Sequence, residues 1–536
     1  MKKSLSLILL AVLPFLLISC MTHDPYRTEV IDANSPTQTL LPCIWEEGSG
    51  DEFEHCEKQA LIKGLADTLS EYQLAFAEFD DQGLLHNPDN VRKILKEYKN
   101  IVQQAALTDD GRQAIQKVIL LVYVYGWHHN AQYGDSNVES FRELLYKAAT
   151  YFNPAQVTEN SRTQKVKVLG LYVGWRGESI ETDYVNMLTF FDRKNTSHEV
   201  GTQGLTSLML QVEDVMKVDV NGQYKKLEKD KIISIGHSFG AAALFSATGP
   251  LLAERAISTQ RQAGIGNMEG FGDLTILMNP AFEAMKVLSL FQLYQNNCLP
   301  YGLNQPPRLI TMSSQTDWPV KNGFPIGRRL GILFEEHSEN KNLDYCQLLE
   351  VKMEESESII QPSVKPIDSY YADIRSVTHF GPLVTHEMTM HTVPIGETLD
   401  CADLGFGDQA SMEITNLPSH QRLDCPFVYQ ISACDQKLGR GIDADAIFQA
   451  SGLEKLCENG KDNVLAIKSR NITHPANPFI NMLVAEDIIP DHNQIWRDPV
   501  YQLFLSMIEM AEEERGLNEK LEQKQQDIIN GATLVR

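Results

Sequence analysis

Short apolar runs separated by amphipathic stretches are the dominant pattern of the chain from residue 118 onward. Each run is rich in β-branched residues and has the length of a buried strand. Most of the intervening stretches have the apolar spacing of a helix. This alternation predicts an α/β fold with a mostly parallel sheet and helices on both faces. The predicted core strands are Val118–Tyr125, Val166–Gly174, Ile232–Ile235, Leu274–Met278, Arg308–Met312 and Phe479–Ala485.

The chain before this alternation has a different pattern. The stretches "EKQALIKGLADTLSEYQLAFAEF" (57–79) and "NVRKILKEYKNIVQQA" (90–105) both place apolar residues at helical spacing. They predict an N-terminal helical region over residues 43–117.

A long interval separates the last two predicted core strands. It covers residues 328–477 and is too long for a plain loop, so it predicts an inserted cap or subdomain. The core then consists of residues 118–327 and 478–536. After Leu503 the charged pattern "SMIEMAEEERGLNEKLEQKQQD" predicts a solvated surface helix at the end of the core.

The first residues have the pattern of an export signal. Lys2 and Lys3 precede an apolar run that is too short to span a membrane and ends in "LISC". This ending resembles the lipobox of bacterial lipoproteins, in which the chain is cut before the cysteine and the cysteine carries the lipid. The resemblance implies a signal peptide over 1–19, a lipidated Cys20 and a tether over 20–42. The alternative is an ordinary signal peptide with an unrelated cysteine.

Export and lipidation would place the protein on a bacterial membrane. In the lipoprotein family, a residue other than Asp after the cysteine permits transfer to the outer membrane, and Met21 stands there. The protein would then face the periplasm or the cell surface. The net charge of −24 argues against nucleic acid or an anionic membrane surface as a partner, because no basic stripe is available to bind phosphates.

The remaining cysteines suit an oxidising compartment. Eight are left when Cys20 is set aside, and an even number in an exported chain could form up to four disulfides. Their spacings do not form paired C-x-x-C zinc sites. Five of the eight lie in the insertion. The eight cysteines are Cys43, Cys56, Cys298, Cys346, Cys401, Cys425, Cys434 and Cys457.

The strongest chemical signal is "KIISIGHSFGAAAL", residues 231–244, which contains a G-x-S-x-G pattern. The pattern lies between a strand-like run and a small apolar helix, where Ser238 would be a nucleophile on a tight turn. Gly236 and Gly240 would let strand and helix pack closely behind it. Its hydroxyl would lie at the start of a helix, where developing negative charge is favoured.

Two further motifs resemble a known family. "GWHHNA" follows the first core strand and "GWRG" the second, as in α/β-hydrolase-fold serine esterases and lipase-like proteins. The resemblance covers roughly residues 118–318 and 475–510. It implies an oxyanion hole made by the backbone N–H groups of Trp127 and Phe239. Many family members have His-Gly at the first turn, where this chain has Tyr125 and Gly126.

The resemblance also implies an acid and a base in the chain order Ser, Asp, His. Asp317 in "PRLITMSSQTDWPVK" follows a predicted strand, at the usual place of the acid, and Glu283 in "LMNPAFEA" is the rival. For the base, "DHNQI" after the last strand resembles the family's "DHNxI" and points to His492.

Other histidines are competing candidates. His379, His386 and His391 lie in the insertion, but their spacing suits no tight zinc site and no H-E-x-x-H pattern is present, so we expect no metal. His128 and His129 would line the pocket entrance or cap the turn. His237 flanks the nucleophile, where packing is the simpler interpretation.

These expectations combine into a serine hydrolase that cleaves a carboxylic ester through an acyl-enzyme, with no cofactor. Thioester or amide hydrolysis and acyl transfer to an alcohol would use the same residues, and the ester is the commonest outcome of the fold. Its partners would be a small-molecule or lipid ester and, through the lipid on Cys20, a membrane. The alternative from a different class is a surface lipoprotein that uses the same scaffold for binding without turnover.

Overall fold

The computed structural model describes residues 24–29, 57–65, 68–107, 117–127, 129–153, 166–175, 190–263, 267–295, 305–337, 367–394, 428–432, 457–458, 461–469 and 477–508. These residues form an α/β fold in which helices pack on a mostly parallel sheet. The leader, Cys20 and the Gly177 end of the "GWRG" motif lie outside the described residues.

The described residues contain fourteen strands. They are β1 Leu61–Gly64, β2 Tyr72–Glu78, β3 Lys117–Val124, β4 Val166–Gly174, β5 Lys217–Val220, β6 Gln223–Lys226, β7 Lys231–His237, β8 Leu274–Met278, β9 Leu309–Ser314, β10 His386–Pro394, β11 Val428–Ser432, β12 Cys457–Glu458, β13 Lys461–Ser469 and β14 Phe479–Val484.

The main sheet contains twelve of these strands. Neighbours follow the order β1-β2-β4-β3-β7-β8-β9-β14-β10-β13-β11, and β12 pairs with β13. From β2 to β10 every neighbouring pair is parallel. Strands β5 and β6 form a separate hairpin.

The described helices are α1 Pro88–Leu107, α2 Ser136–Phe152, α3 Phe190–Val200, α4 Thr206–Val215, α5 Phe239–Ala263, α6 Ala284–Gln295, α7 Phe324–Gly331 and α8 Ser369–Ile374. A further helical stretch covers 498–508. The helices pack on the sheet and on one another, and α5 contacts β7 while α2 contacts β4. None of the described helices is long and apolar enough to cross a membrane.

The six predicted core strands are all strands of this sheet, namely β3, β4, β7, β8, β9 and β14. Strands β3, β7, β8 and β9 are buried along their whole length. Continuous apolar runs of Val, Ile and Leu suit this position, because a central parallel strand is covered on both faces. The sequence pattern therefore identified the core of the sheet.

The helical interpretation of residues 57–79 is wrong. These residues form the antiparallel pair β1 and β2, and β2 also pairs in parallel with β4. Strand β2 is buried at every position, so both of its faces are covered. A short run of this kind fits a helix and a buried strand equally well by spacing alone. The second half of the predicted helical region is helical, as α1.

The described strands of the insertion 328–477 join the core sheet. Three residues of β10, beginning at His386, run parallel to β14, and all nine residues of β10 pair antiparallel with β13. Strand β11 then extends the sheet beyond β13. These strands widen the core sheet and cover the edge that β14 would otherwise expose. The predicted cap stays a prediction, because most of the insertion lies outside the described residues.

Part of the predicted tether packs against the fold. The backbone N–H groups of Tyr26 and Arg27 donate to the Glu78 carboxylate at 3.1 and 2.7 Å. The Arg27 side chain is buried, lies over the Phe76 ring at 4.1 Å and donates from Nε to the Ala131 carbonyl at 2.7 Å. The tether therefore contacts the fold at residues 24–29. The predicted disulfides stay a prediction, because seven of the eight cysteines lie outside the described residues.

Candidate active site

Ser238 lies on a sharp turn between β7 and α5. Its φ of +55° is in the left-handed region, which is rare for a residue with a side chain. The turn is held by hydrogen bonds from the Ser238 N–H to the Met278 carbonyl at 3.0 Å and from the Ala281 N–H to the Ser238 carbonyl at 3.2 Å. These contacts fix the serine at the carboxyl end of the sheet.

The two glycines of the motif allow the chain to pack closely around this turn. A Cβ added at Gly236 would lie 2.7 Å from the Cα of Ala241. One added at Gly240 would lie 2.2 Å from the carbonyl oxygens of Val124 and Tyr125. Because backbone atoms cannot yield to a side chain there, both positions require glycine, as the sequence predicted.

His492 and Asp317 meet Ser238 at this edge. His492 Nε2 lies 2.8 Å from Ser238 Oγ, and His492 Nδ1 lies 2.8 Å from Asp317 Oδ2. With the proton on Nδ1 donated to the carboxylate, Nε2 is free to accept the serine proton. Asp317 is fully buried, and its Oδ1 accepts a hydrogen bond from the Val320 N–H at 2.9 Å. The structure brings together the three residues that the sequence singled out.

His237 and Asn279 hold the backbone of His492. The His492 carbonyl accepts from His237 Nε2 at 2.8 Å and from Asn279 Nδ2 at 2.8 Å. Burial lowers the pKa of His237 well below its ordinary value, and the nearby His492 lowers it further, so the ring is neutral. Asn279 also accepts from the Ser314 N–H at 3.0 Å. Two side chains from β7 and the end of β8 therefore fix the position of the base.

Sequence reasoning gave these two residues no role in positioning the base. The packing expected of His237 is correct as far as it goes, since the ring is buried and lies 5.2 Å from the His492 ring. Asn279 also has a positive φ of 44°. An asparagine directly after a core strand was the only available signal, because Asn is tolerated in the left-handed region and can bond two backbone groups.

The turn after β3 lies directly beside the serine. A Cβ added at Gly126 would lie 2.8 Å from the Ser238 Cβ. The next residue, Trp127, packs its ring 6.1 Å from the ring of Phe239. Of the two residues predicted for the oxyanion hole, Trp127 thus follows the glycine that contacts Ser238, and Phe239 follows Ser238 itself.

Tyr125, which differs from the family pattern, connects the two tryptophan motifs. The Trp175 N–H donates to the Tyr125 hydroxyl at 2.9 Å, and that hydroxyl donates to the Trp175 carbonyl. The Trp175 indole Nε1 donates to the Tyr125 carbonyl at 2.9 Å. Burial raises the pKa of Tyr125 well above its ordinary value, so the hydroxyl keeps its proton. Tyr125, where many family members have histidine, therefore stabilises the turn just before Gly126.

Glu283, the rival acid, belongs to a separate ion-pair network. Its carboxylate pairs with the Lys194 ammonium and, at 3.0 Å, with Arg328 Nε. Arg328 also pairs with Asp373 at 2.9 Å. Burial alone would raise the pKa of Glu283, but the charges of Lys194, Lys286 and Arg328 and the Lys194 hydrogen bond together outweigh it and lower that pKa. The network joins α3, α7 and α8 to the loop after β8, and the carboxylate beside His492 is that of Asp317.

The insertion histidines have partners of their own. His379 bonds the Ser376 hydroxyl through Nδ1 and the Ser314 carbonyl through Nε2, at 3.2 and 3.3 Å. His386 contacts the hydroxyl of its neighbour Thr385 at 2.8 Å, and His391 that of Thr389 at 2.9 Å. Burial lowers the pKa of His379 and of His386 to about 4 each. None of their hydrogen bonds leads to Ser238.

A cluster of potential metal ligands occurs elsewhere in the described part of the chain. Single ligand atoms of Glu335, His337 and Asp373 all lie within 4.8 Å of one another. Arg328 pairs with both carboxylates, so a cation is already present between them. His129 bonds Asp135, the N-cap of α2, at 3.2 Å, in keeping with a capping role, and His128 lies outside the described residues.

The His237 contact predicts an effect on serine reactivity. Replacing His237 with Phe keeps an aromatic ring but removes the donor to the His492 carbonyl. We expect the rate at which a fluorophosphonate labels Ser238 to fall about tenfold, the equivalent of one hydrogen bond. His237→Gln, which keeps an amide donor, should recover part of that rate. An unchanged labelling rate in His237→Phe with an unchanged melting temperature would contradict the positioning role.

The Glu283 network predicts a loss of stability without a loss of serine reactivity. Glu283→Gln would leave the buried Lys194 ammonium without its counter-charge, and we expect the free energy of unfolding to fall by about 3 to 5 kcal/mol. The control is Glu335→Gln, an exposed partner of the same Arg328, which should cost at most about 1 kcal/mol. Denaturant unfolding measures both. A slower labelling of Ser238 in folded Glu283→Gln would return Glu283 to the list of candidate acids.

The buried histidines predict acid sensitivity. In the unfolded chain a histidine binds its proton near pH 6.5, whereas folded His379 and His386 stay neutral down to about pH 4. The unfolded state therefore binds more protons in this window, and stability is lost as the pH falls from about 6.5 toward 4. Urea unfolding at a series of pH values should show a shallower decline in His386→Gln than in the unmodified protein. An identical decline would assign the acid sensitivity to other groups.

Comparisons of the chain with protein-family models, with curated proteins and with solved structures found no match. The resemblance to α/β-hydrolase-fold esterases therefore depends on the short sequence motifs and on the side-chain geometry around Ser238.

Proposed function

We propose that this protein is a serine hydrolase that cleaves carboxylic esters through a Ser-His-Asp triad. The observation that carries the proposal is the continuous hydrogen-bonded path from Ser238 Oγ through the His492 imidazole to the buried Asp317 carboxylate. Along the chain, Ser238 is 254 residues from His492, and Asp317 is 175 residues from His492. Nothing local in the chain requires these side chains to meet, and their arrangement is the one that activates a serine hydroxyl.

The first half-reaction forms an acyl-enzyme. His492 Nε2 takes the proton of Ser238 Oγ as the oxygen bonds to the carbonyl carbon of the ester. Asp317 stabilises the imidazolium that results. The tetrahedral intermediate then collapses, the bond from carbon to the alcohol oxygen breaks, and His492 gives its proton to the departing alcohol.

The second half-reaction reverses these roles with water. His492 takes a proton from water as the water oxygen bonds to the acyl carbon, and the proton returns to Ser238 Oγ when the acyl-enzyme bond breaks. The products are a carboxylic acid and an alcohol. Water and ester supply every atom, and no cofactor takes part.

The oxyanion would be stabilised by the backbone N–H groups of Trp127 and Phe239. Phe239 directly follows the nucleophile and Trp127 lies in the loop after β3, the two sources of such donors in α/β-hydrolases. The support is that Gly126, directly before Trp127, lies against Ser238, and that the rings of Trp127 and Phe239 pack 6.1 Å apart. Fixed donors of this kind contribute a factor of about 100 to 1,000 each to turnover.

The finer fold assignment, an α/β-hydrolase fold, belongs to the same proposal. Its support is the nucleophile on a strand-to-helix turn, the acid after β9 and the base after β14, in the chain order Ser, Asp, His. We also propose that the mature protein is a bacterial lipoprotein, anchored in the outer membrane through Cys20, on the strength of the "LISC" resemblance.

Triad mutants test the function directly. Ser238→Ala should lower the hydrolysis of p-nitrophenyl esters of graded chain length by about a thousandfold or more, because the loss is chemical. His492→Ala should be nearly as damaging, and the double mutant little worse, since the two residues act as a unit. The melting temperatures should hardly change.

The control for these mutants is His391→Ala, which alters a histidine of β10 whose hydrogen bond leads to Thr389. It should hydrolyse the esters at the unmodified rate. No hydrolysis and no fluorophosphonate labelling by the folded, unmodified protein would favour the alternative, a lipoprotein that binds without turnover.

A further inference from the structure

The N-terminal segment 24–29 is attached to the carboxyl edge of the sheet. Glu78, which accepts from the backbone of Tyr26 and Arg27, is the last residue of β2. Arg27 also donates to the carbonyl of Ala131, in the loop that follows β3 and contains Gly126. Thr28 accepts from the Asn90 side chain at 2.8 Å. The segment is therefore held by several specific hydrogen bonds.

This attachment point and the candidate nucleophile share one edge of the sheet. Glu78 pairs with Gly174 in β4, and Val124 in β3 pairs with Val173 in β4 and with Gly236 in β7. Three strand spacings thus separate Glu78 from the strand that leads to Ser238. At about 4.8 Å each, they amount to about 14 Å.

The proposed lipid attachment is close to this segment along the chain. Only residues 21–23 lie between Cys20 and Asp24. Four residue steps span at most about 14 Å, even if fully extended. A lipid on Cys20 would therefore bring the bilayer surface next to the carboxyl edge of the sheet.

Exposed apolar side chains around α7 form an independent observation, and α7 lies near the carboxyl edge of the sheet because its Arg328 pairs with Glu283 in the loop after β8. Trp318 directly follows Asp317 and is 63% exposed, and Phe334, just beyond α7, is 101% exposed. Ile326, Leu333 and Tyr371 are also exposed large apolar residues of α7, its end and α8. Helices α7 and α8 contact each other. Aromatic and aliphatic side chains of this kind are favoured at a membrane interface.

We propose that residues 24–29 orient the enzyme, so that the edge carrying Ser238 faces the bilayer that holds the lipidated Cys20. The substrates are then ester-linked lipids of that bilayer, which reach the serine from the membrane side. The exposed residues around α7 rest on the bilayer surface. This inference depends on the proposed hydrolase function and on lipidation of Cys20.

The test uses the full-length lipidated protein in phosphatidylethanolamine–phosphatidylcholine vesicles, which carry no net charge and contain a fluorogenic acyl-ester lipid. A soluble ester, p-nitrophenyl butyrate, is assayed in parallel. Inserting a 20-residue Gly-Ser linker after His23 separates the anchor from the fold by about 25 Å on average. We expect hydrolysis of the vesicle lipid to fall at least fivefold and hydrolysis of the soluble ester to stay unchanged.

Two point variants support the linker experiment. Arg27→Ala removes the side chain that bonds Ala131 and should give the same selective loss, with exposed Arg92→Ala as its control. Phe334→Ser changes a fully exposed residue and should also lower only the vesicle rate. Cys20→Ser should release the protein from vesicles and keep its activity on the soluble ester.

The outcomes separate this inference from the proposed function. Equal rates on the vesicle lipid with and without the linker would overturn the orientation, and so would a parallel loss on both substrates. Activity on the soluble ester with none on the vesicle lipid, in the unmodified protein, would overturn the substrate class. No hydrolysis of the soluble ester would instead defeat the proposed function, and this inference with it.

Discussion

The left-handed backbone of Ser238 is the constraint on which the rest of the site depends. This conformation costs a residue with a side chain roughly 1 to 2 kcal/mol. It persists because the Ser238 backbone bonds Met278 and Ala281, and because Gly240 lets α5 lie against the carbonyl groups at the end of β3. The same close packing brings the Gly126 turn against the serine. A looser turn would separate the hydroxyl from His492 and from the donors that the proposed mechanism needs.

Much of this arrangement could be predicted from the sequence because its signals are local. The apolar runs of β3, β4, β7, β8, β9 and β14 are continuous, so their burial is evident from composition, and the G-x-S-x-G pattern lies at a strand-to-helix junction. Asp317 and His492 were found from their positions after strands, since parallel strands deliver their carboxyl ends to one edge. The chain order Ser, Asp, His then left few assignments open.

Other features depend on partners distant in the chain, which spacing does not reveal. Residues 57–79 form strands because β4 provides a neighbour for β2, although their apolar spacing also fits a helix. Glu283 follows a core strand, the position expected of the catalytic acid, yet its carboxylate is paired with the Lys194 ammonium, 89 residues away in the chain. The contacts of His237 and Asn279 are made with a backbone carbonyl, a group that every residue has and that no pattern distinguishes.

The pairing of β10 with β14 limits how far this chain can be shortened. The insertion 328–477 looks dispensable along the sequence, since it interrupts an otherwise regular alternation. In three dimensions the insertion supplies β10, the neighbour of the core strand β14. Thr385 of the insertion also bonds Asn481 of β14, because its N–H and hydroxyl donate to the Asn481 carbonyl and its hydroxyl accepts from the Asn481 N–H. A chain shortened by excision of the insertion would carry β14 as a parallel edge strand with open hydrogen-bonding groups, which favours pairing with other chains. A shortened version that keeps this edge of the core sheet covered must therefore retain β10.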